Sequence, residues 1–282
     1  MRYLLLPVVL ILQIPVFSQV INYSSGYFGP NAMPVPEFGN GAIPAATTIS
    51  LAANYYFGFG DQTFNPDIKI EIPLLPKRIS IKLWAALLEY YSVTQQIYDY
   101  RGMQEKLSGL AIGGDIYIQT RISIFAEKKY MPAVIINSTL KSASSATVDG
   151  RRYFDTPGYY FDLETAKSFH FSNKLVNEIR LVANFGFLCW ETTDSRQNDA
   201  FMHGVKFVLS NNLIDLENTL SGYDGWMDNG DHPIIYSIKL TGKFRKFSIF
   251  ARYQYGIRDF PYHYLQAGAS MPFEILTPAF CR

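Results

Sequence analysis

Apolar and polar side chains alternate one by one along most of the chain from Thr47 onward. The segment 246–257 separates an apolar face from a more polar one: Phe247, Ile249, Ala251, Tyr253, Tyr255 and Ile257 against Ser248, Phe250, Arg252, Gln254 and Gly256. The segments 67–74, 78–85, 175–189 and 233–241 repeat this pattern. Because successive side chains of a strand point to opposite faces, a period of two predicts β-strands rather than helices.

The alternating runs predict about twelve strands. They begin near Thr47, Asp67, Arg78, Leu107, Arg121, Tyr153, Lys174, Phe201, Leu213, Pro233, Lys246 and Tyr262. Short connections, such as a turn at Thr120, alternate with longer ones, such as 92–106. A membrane barrel has this asymmetry, and its strands of about 9–13 residues cross the bilayer at a tilt. We therefore expect an all-β fold, a transmembrane antiparallel up-and-down β-barrel formed by residues 47–282.

The N-terminal residues have the features of a secretory signal peptide. Arg2 is followed by an apolar run over residues 4–14 and then by the small residue Ser18. This order of basic, apolar and small residues is the one that signal peptidase recognises. The sequence predicts a signal peptide over residues 1–18, cleaved between Ser18 and Gln19, and hence an exported protein.

Residues 19–46 are rich in Pro, Gly and Asn and show no periodicity. Their prolines cannot take part in a sheet ladder or continue a helix. We predict an irregular leader that is either periplasmic or a plug in the lumen of the barrel. Outside the barrel, Phe28, Met33 and Phe38 would be exposed to water, so we expect the leader to lie at least partly inside.

Aromatic residues make up 16% of the chain and charged residues 17%. This composition suits a protein whose outer surface meets lipid, with aromatic rings at the two interfaces. Rings near the long loops should form such a girdle: Tyr55, Phe57, Tyr90, Tyr91, Trp190, Phe201, Tyr223, Trp226, Tyr255 and Tyr262. The 25 basic and 24 acidic residues form no basic stripe, so no nucleic-acid partner is expected.

At this level of pattern, rather than of any diagnostic motif, residues 47–273 resemble the outer-membrane β-barrel proteins of Gram-negative bacteria. The pair Ser18–Gln19 also resembles the secretion signals of Bacteroidota. The resemblance implies a location in the cell outer membrane. It also implies outer-membrane lipid and lipopolysaccharide as partners, with other envelope proteins as a further class. The alternative fold is a soluble, secreted β-sandwich binding module, which shows the same period of two.

The inward face of the predicted barrel carries charges of both signs. The residues predicted to line the lumen are Lys69, Glu71, Lys82, Asp115, Asp162, Glu164, Glu178, Arg180, Lys206, Asp215, Glu217, Lys239 and Arg252. In a narrow barrel such charges either pair into a filled structural core or line a pore. We expect a non-enzymatic barrel without a cofactor, acting as a narrow, porin-like pore for small polar solutes or as the membrane subunit of an envelope complex.

The motif FHFSN at 169–173 suggests an alternative function. Outer-membrane phospholipases and lipid A deacylases are small barrels that carry a His-x-Ser pair, and His170 and Ser172 match that spacing. Asn173, Asn177 or Glu178 could orient the histidine. However, the predicted topology places this motif in a short turn on the periplasmic side, whereas the site of those enzymes faces the outer leaflet. Ser and Asn are also common turn residues, so the turn is the favoured interpretation.

Two further features carry weak signals. The loop 222–232 holds Asp224, Asp228 and Asp231, whose oxygens suit Ca²⁺, but their spacing is not that of an EF-hand. We expect a solvated loop there rather than a metal site. The two cysteines, Cys189 and Cys281, are too few for a disulfide scaffold and too far apart in sequence for a thiolate zinc site.

Overall fold

The computed structural model describes residues 24–104, 106–145, 152–153, 156–172, 175–191 and 197–274. The predicted signal peptide with its cleavage site, Asn173 and Cys281 lie outside these residues. Within them, no helix is long and apolar enough to span a membrane.

The described elements are mostly strands. In chain order they are β1 Thr47–Phe57, β2 Asp61–Leu75, β3 Ile79–Ala86, β4 Leu88–Val93, α1 Gln95–Arg101, β5 Ser108–Ile112, β6 Tyr117–Phe125, β7 Ala133–Lys141, β8 Gly158–His170, β9 Glu178–Glu191, β10 Gln197–Ser210, β11 Ile214–Gly225, β12 Ile234–Lys243, β13 Ser248–Arg258 and β14 His263–Phe273.

These strands form a closed antiparallel barrel of twelve wall strands. Each wall strand pairs with the wall strand that follows it along the chain. β1 pairs with both β2 and β14, which closes the sheet. β3 and β4 form one wall strand interrupted at Leu87, because both pair with β2. β5 and β6 likewise share one wall position. The predicted barrel and its strand number are confirmed, and the β-sandwich alternative is wrong.

One predicted turn is misplaced. The wall strand predicted to end before Thr120 continues through β6 to Phe125, and the turn spans 126–132. Thr120 pairs with Ile81 on one side and Ser138 on the other, so it lies within the ladder. The alternation runs unbroken from 116 to 124, and the turn comes only where it stops, before Pro132.

The two ends of the barrel differ in their connections. At one end, which we call the turn end, the connections are 76–78, 126–132, 171–177, 211–213 and 244–247. Thr47 pairs with Phe273 at this end. At the other end, the loop end, the connections include 94–107, which contains α1, and 142–157. Apart from the turn at 58–60, the loop-end connections are mostly longer, as the sequence predicts.

Along each strand the outward side chains are mainly apolar and the inward ones mainly polar. Leu181, Phe185 and Leu220 are exposed on the outside, while Asn184 and Ser221 are buried inside. The predicted aromatic girdle is only partly correct. Five of its rings are exposed at the loop end: Tyr55, Tyr90, Phe201, Trp226 and Tyr255. Four others point inward and are buried: Tyr91, Trp190, Tyr223 and Tyr262.

Three of these inward rings, Trp190, Tyr223 and Tyr262, form the main apolar core together with the leader. Tyr27, Phe28 and Met33 of the leader are buried against Trp190 and Tyr262, among others, in the loop-end half of the barrel. The hydroxyl of Tyr262 donates to the carbonyl oxygens of Ser25, at 3.2 Å, and Phe28, at 3.1 Å. The described part of the leader therefore begins near the loop end and reaches the turn end at Thr47.

A fully buried charge network closes the loop end above this core. Arg101 of α1 and Arg152 of the loop 142–157 both bind Asp61, with N–O distances of 2.7 and 2.6 Å. Arg152 also binds Glu89 at 2.6 Å. These four side chains are 0–1% exposed. The two arginines come from the two long loops, so the network holds both loops onto the strands.

Replacing Arg152 by Met should destabilise the barrel by about 3–5 kcal/mol, because it leaves the buried carboxylate of Glu89 without its ion-pair partner and Asp61 with Arg101 alone. Denaturant unfolding of the protein in lipid vesicles, followed by heat-modifiable migration on a gel, measures this loss. Lys243→Met is the control, since the Lys243–Asp215 pair at 2.7 Å is partly exposed and should contribute less than about 1 kcal/mol. Equal losses in the two variants would contradict the assigned role of the network.

Candidate functional site: the lumen of the barrel

The strand alternation brings the predicted lumen residues to the inside of the wall. Eight of them line one open cavity: Lys69, Glu71, Lys82, Lys206, Asp215, Glu217, Lys239 and Arg252. Asp115 lines a second, smaller cavity. Asp162, Glu164, Glu178 and Arg180 hydrogen-bond to other inward groups or to the leader. None of the thirteen points outward.

The larger cavity measures about 500 Å³ and lies in the turn-end half of the lumen. Its wall includes Ser50, Ser248 and Ser270, which lie near the turn-end limits of their strands. Leader residues Glu37 and Asn40 also line it and are exposed. The cavity is therefore open to solvent. The smaller cavity, about 120 Å³, lies deeper, towards the loop end, and the two share Pro36, Glu37, Lys69 and Lys82.

Most wall charges are paired within the wall. Arg121 binds Glu71 at 2.8 Å and Glu164 at 3.3 Å. Lys141 binds Asp115 at 2.6 Å, with both side chains buried. Such pairs satisfy groups that would be costly to bury alone. Arg121 and Lys141 were missing from the predicted lumen set, although the alternation around Gln119 and Thr139 would have placed them inside.

Glu217 is shared by two lysines. Lys206 lies 3.6 Å from one carboxylate oxygen of Glu217, and Lys239 lies 3.5 Å from the other. The two lysines differ in their remaining contacts. Lys206 also holds the leader, whereas Lys239 lies over the ring of Phe250, 4.9 Å from its centroid.

The leader is held by hydrogen bonds to side chains of the wall, and among the described residues it does not pair with the backbone of a strand. The ammonium group of Lys206 donates to the carbonyl oxygens of Phe38, at 2.9 Å, and Gly39, at 3.1 Å, and to Asn40 Oδ1 at 3.0 Å. The carboxylate of Glu164 accepts the backbone N–H groups of Gly39, at 2.7 Å, and Gly41. Charged groups of the wall thus satisfy the backbone of a segment that forms no described ladder.

Two glycines let the leader approach the wall closely. A Cβ atom at Gly39 would lie 2.5 Å from a guanidinium nitrogen of Arg121. Gly41 has φ of +66°, and its Cβ would lie 2.2 Å from that of Ala166. A larger residue at either position would push the leader away from the wall or strain the backbone.

Glu37 forms the ion pairs between the leader and the wall, because it is the one charged side chain among the described leader residues 24–46. Lys69 Nζ lies 2.9 Å from Glu37 Oε2, and a guanidinium nitrogen of Arg252 donates to Glu37 Oε1. Lys82 points inward from the neighbouring strand β3, where it pairs in register with Glu71 of β2. Its Nζ lies over the ring of Trp84, 5.1 Å from the centroid. Glu37 lines both cavities, as Lys69 and Lys82 do, so it lies where the two cavities meet.

The FHFSN motif lies at the turn end, as the sequence predicts. His170 is the last residue of β8 and pairs in register with Glu178, while Ser172 follows the strand. Both His170 and Ser172 are exposed. Within the described residues neither forms a hydrogen bond or ion pair, and Glu178 accepts from Ser168 Oγ at 2.7 Å instead. The structure therefore brings together no catalytic pair here.

The aspartates of the loop 222–232 meet at His232. The ring nitrogens of His232 lie 3.3 Å from Asp224 and 3.2 Å from Asp228. Asp231 accepts the backbone N–H groups of Met227 and Asn229, which fixes the loop. No group of three or more His, Cys, Asp or Glu among the described residues has the geometry to hold a metal ion. The carboxylates thus serve the loop and its histidine.

Comparisons with known proteins agree with the fold. No protein-family model matches the chain, and no curated protein matches it. An outer-membrane channel from Pseudomonas putida F1 superposes with a TM-score of 0.55, at 11% identity, over 85% of this chain and 100% of the channel. The NanC porin gives a TM-score of 0.52 at 7% identity, over 80% of this chain and 100% of the porin. The likeness concerns the fold, which is that of outer-membrane channels.

The ring of His232 should titrate above the ordinary value of about 6.5. Burial by itself lowers the pKa of His232, but hydrogen bonds to Asp228 and Asp224 outweigh this and raise it. Protonated His232 therefore stabilises the conformation in which its ring contacts Asp224 and Asp228 at low pH, and this contribution is lost as pH rises through the raised pKa. Histidine NMR of the protein in micelles measures the shift. Asp228→Asn should lower the pKa, and Asp215→Asn, at the turn end, should not.

Replacing Ser172 or His170 by Ala should leave the protein without a detectable change in ester hydrolysis, since neither side chain has a partner among the residues that the structure describes. The stability cost should be on the order of 0.5 kcal/mol, as for exposed sites. The assay offers the purified barrel a phospholipid or lipid A substrate in detergent micelles, with and without Ca²⁺. Turnover by the wild type that disappears in Ser172→Ala would establish a nucleophile and reverse this assignment.

Proposed function

We propose that the chain is an integral outer-membrane β-barrel through which small polar solutes pass, with the leader controlling the passage. The single observation that carries this proposal is the solvent-accessible, charged cavity of about 500 Å³ inside a barrel whose outer side chains are mainly apolar. A purely structural core has no need for an open, charged cavity of that size. The fold of outer-membrane channels supports the same function.

The proposed location is the cell outer membrane, with lipid and lipopolysaccharide as the surroundings of the apolar belt. Export through the signal peptide 1–18 and a Bacteroidota origin stay predictions. In this location the turn end would face the periplasm, because short connections lie on that side in outer-membrane barrels. The open cavity would then be reached from the periplasm.

Leader residues 24–35 pack inside the lumen between this cavity and the loop end, beside the smaller cavity of about 120 Å³. Met33 is fully buried and Phe28 is 4% exposed. A solute can therefore cross the barrel only when the leader moves. The leader forms no described ladder with the wall, so its movement breaks side-chain contacts but leaves the strand pairing of the barrel intact.

Deletion of residues 20–44 should raise single-channel conductance several-fold in planar lipid bilayers, because it removes the atoms that fill the lumen. Heat-modifiable migration of the deletion variant confirms that the barrel itself has folded. Unchanged conductance of the folded variant would contradict the pore and would fit the membrane subunit of an envelope complex.

A point substitution tests the same control more finely. Lys206→Met removes the hydrogen bonds to Phe38, Gly39 and Asn40, so the channel should open more often than the wild type. Lys239→Met is the matched control, because Lys239 shares Glu217 with Lys206 but forms no hydrogen bond or ion pair with the leader among the described residues. Equal opening frequencies in the two variants would show that lumen charge, rather than leader anchoring, sets the opening.

A further inference from the structure

The charges around Glu37 are unbalanced in a way that depends on the leader. Among the described residues, Lys69 and Arg252 each form an ion pair with one carboxylate, that of Glu37. Lys82 lies over Trp84 and forms no ion pair within 4 Å with any described residue. Three wall cations therefore face one carboxylate, and that carboxylate is not part of the wall.

The neighbouring wall carboxylates are occupied elsewhere. Asp67 accepts a hydrogen bond from the amide of Asn54 at 3.0 Å. Glu71 accepts from Arg121 at 2.8 Å and from the hydroxyl of Ser80 at 2.7 Å. Without Glu37, the three cations would have no carboxylate within ion-pair distance in the described wall.

Arg252 also keeps an unused donor in this position. One terminal guanidinium nitrogen donates to Glu37 and the other to Gln254 Oε1, at 2.9 Å. Its Nε is buried and has no hydrogen-bond partner among the described residues. A buried guanidinium normally has all its donors satisfied. The free donor indicates that the side chain of Glu37 does not exhaust what this site can bind.

We propose that Lys69, Lys82 and Arg252 form a binding site for the carboxylate of a small organic acid, and that Glu37 occupies it as a built-in substitute. The two oxygens of Glu37 are held by different cations, one by Lys69 and one by Arg252, as the carboxylate of a ligand would be. An organic anion that binds here displaces Glu37. That this anion triggers release of the leader rests on the proposed pore function, whereas the binding of the anion does not.

Solvent access makes the exchange feasible. The side chain of Glu37 is 41% exposed, and it lines the cavity that opens at the turn end. A small acid can reach the three cations without crossing the packed half of the lumen. Once Glu37 is displaced, the leader loses its ion pairs with Lys69 and Arg252. Its hydrogen bonds to Lys206, Glu164 and Arg180 remain.

Isothermal titration of the full-length protein in micelles with sodium propionate tests the site directly. An intramolecular carboxylate competes with propionate for the same cations at an effective concentration on the order of millimolar, so Glu37→Gln should tighten propionate binding several-fold. Adding Lys69→Gln to that variant should reverse the gain. The leader deletion 20–44, which also lacks Glu37, should bind like Glu37→Gln and serves if the point variant folds poorly.

Glu217→Gln is the matched control. It also removes one negative charge from the same cavity, but Glu217 belongs to the wall and pairs with Lys206 and Lys239. Propionate binding should tighten less in Glu217→Gln than in Glu37→Gln. Equal tightening would reduce the effect to the overall field of the lumen and overturn the proposal, as would no tightening in Glu37→Gln.

Inorganic phosphate, titrated in the same way, tests the chemical class. Weaker binding of phosphate than of propionate to Glu37→Gln supports a carboxylate site, and equal or tighter binding overturns that assignment. Failure of the pore is separable from these results. A leader deletion that binds propionate without conducting keeps the site and rejects the pore, whereas one that conducts without binding does the reverse.

Discussion

The pairing of β1 with β14 is the constraint on which the rest of the structure depends. A sheet surrounded by lipid has no water to satisfy an unpaired edge, so it must close on itself. Once closed, each strand has one face outside and one inside, and the alternation along the sequence decides which side chain goes where. In this way a rule about backbone hydrogen bonds places Lys69, Glu71 and Arg252 in an enclosed space.

That enclosed space has its own requirement, because charges buried together need partners. The wall meets most of it through pairs such as Arg121 with Glu71, and the loops meet it at the loop end through Arg101 and Arg152. The leader meets the remainder. It supplies Glu37 to two cations and presents backbone groups to Lys206 and Glu164. Wall and leader are therefore complementary in charge, although the leader has no regular secondary structure.

The sequence was most informative where a feature is local and periodic. The alternation predicted the strands, their inward charges and the position of FHFSN at the turn end. The turn predicted at Thr120 is wrong, and the pattern itself argues against it, since the period of two continues through that residue to Ile124. The alternation could not sort Tyr91 or Tyr262 from the outer girdle, since rings favour both a lipid interface and a packed core. The partners of Arg152 lie 63 and 91 residues away along the chain, and no local pattern reveals such contacts. The same holds for Glu37, whose partners are known only once the leader is seen inside.

The direct connection of the leader to β1 at Thr47 has a kinetic consequence. In the proposed pore, a displaced leader would stay attached to the strand that closes the barrel, so opening and closing would form a one-molecule cycle that is independent of protein concentration. The segment 37–47 has about the length for which a free chain closes a loop in about 10–100 ns. The search for the closed position is then too fast to keep the barrel open. In the proposed mechanism, long open times would therefore come from the organic anion that occupies the three wall cations while Glu37 is displaced.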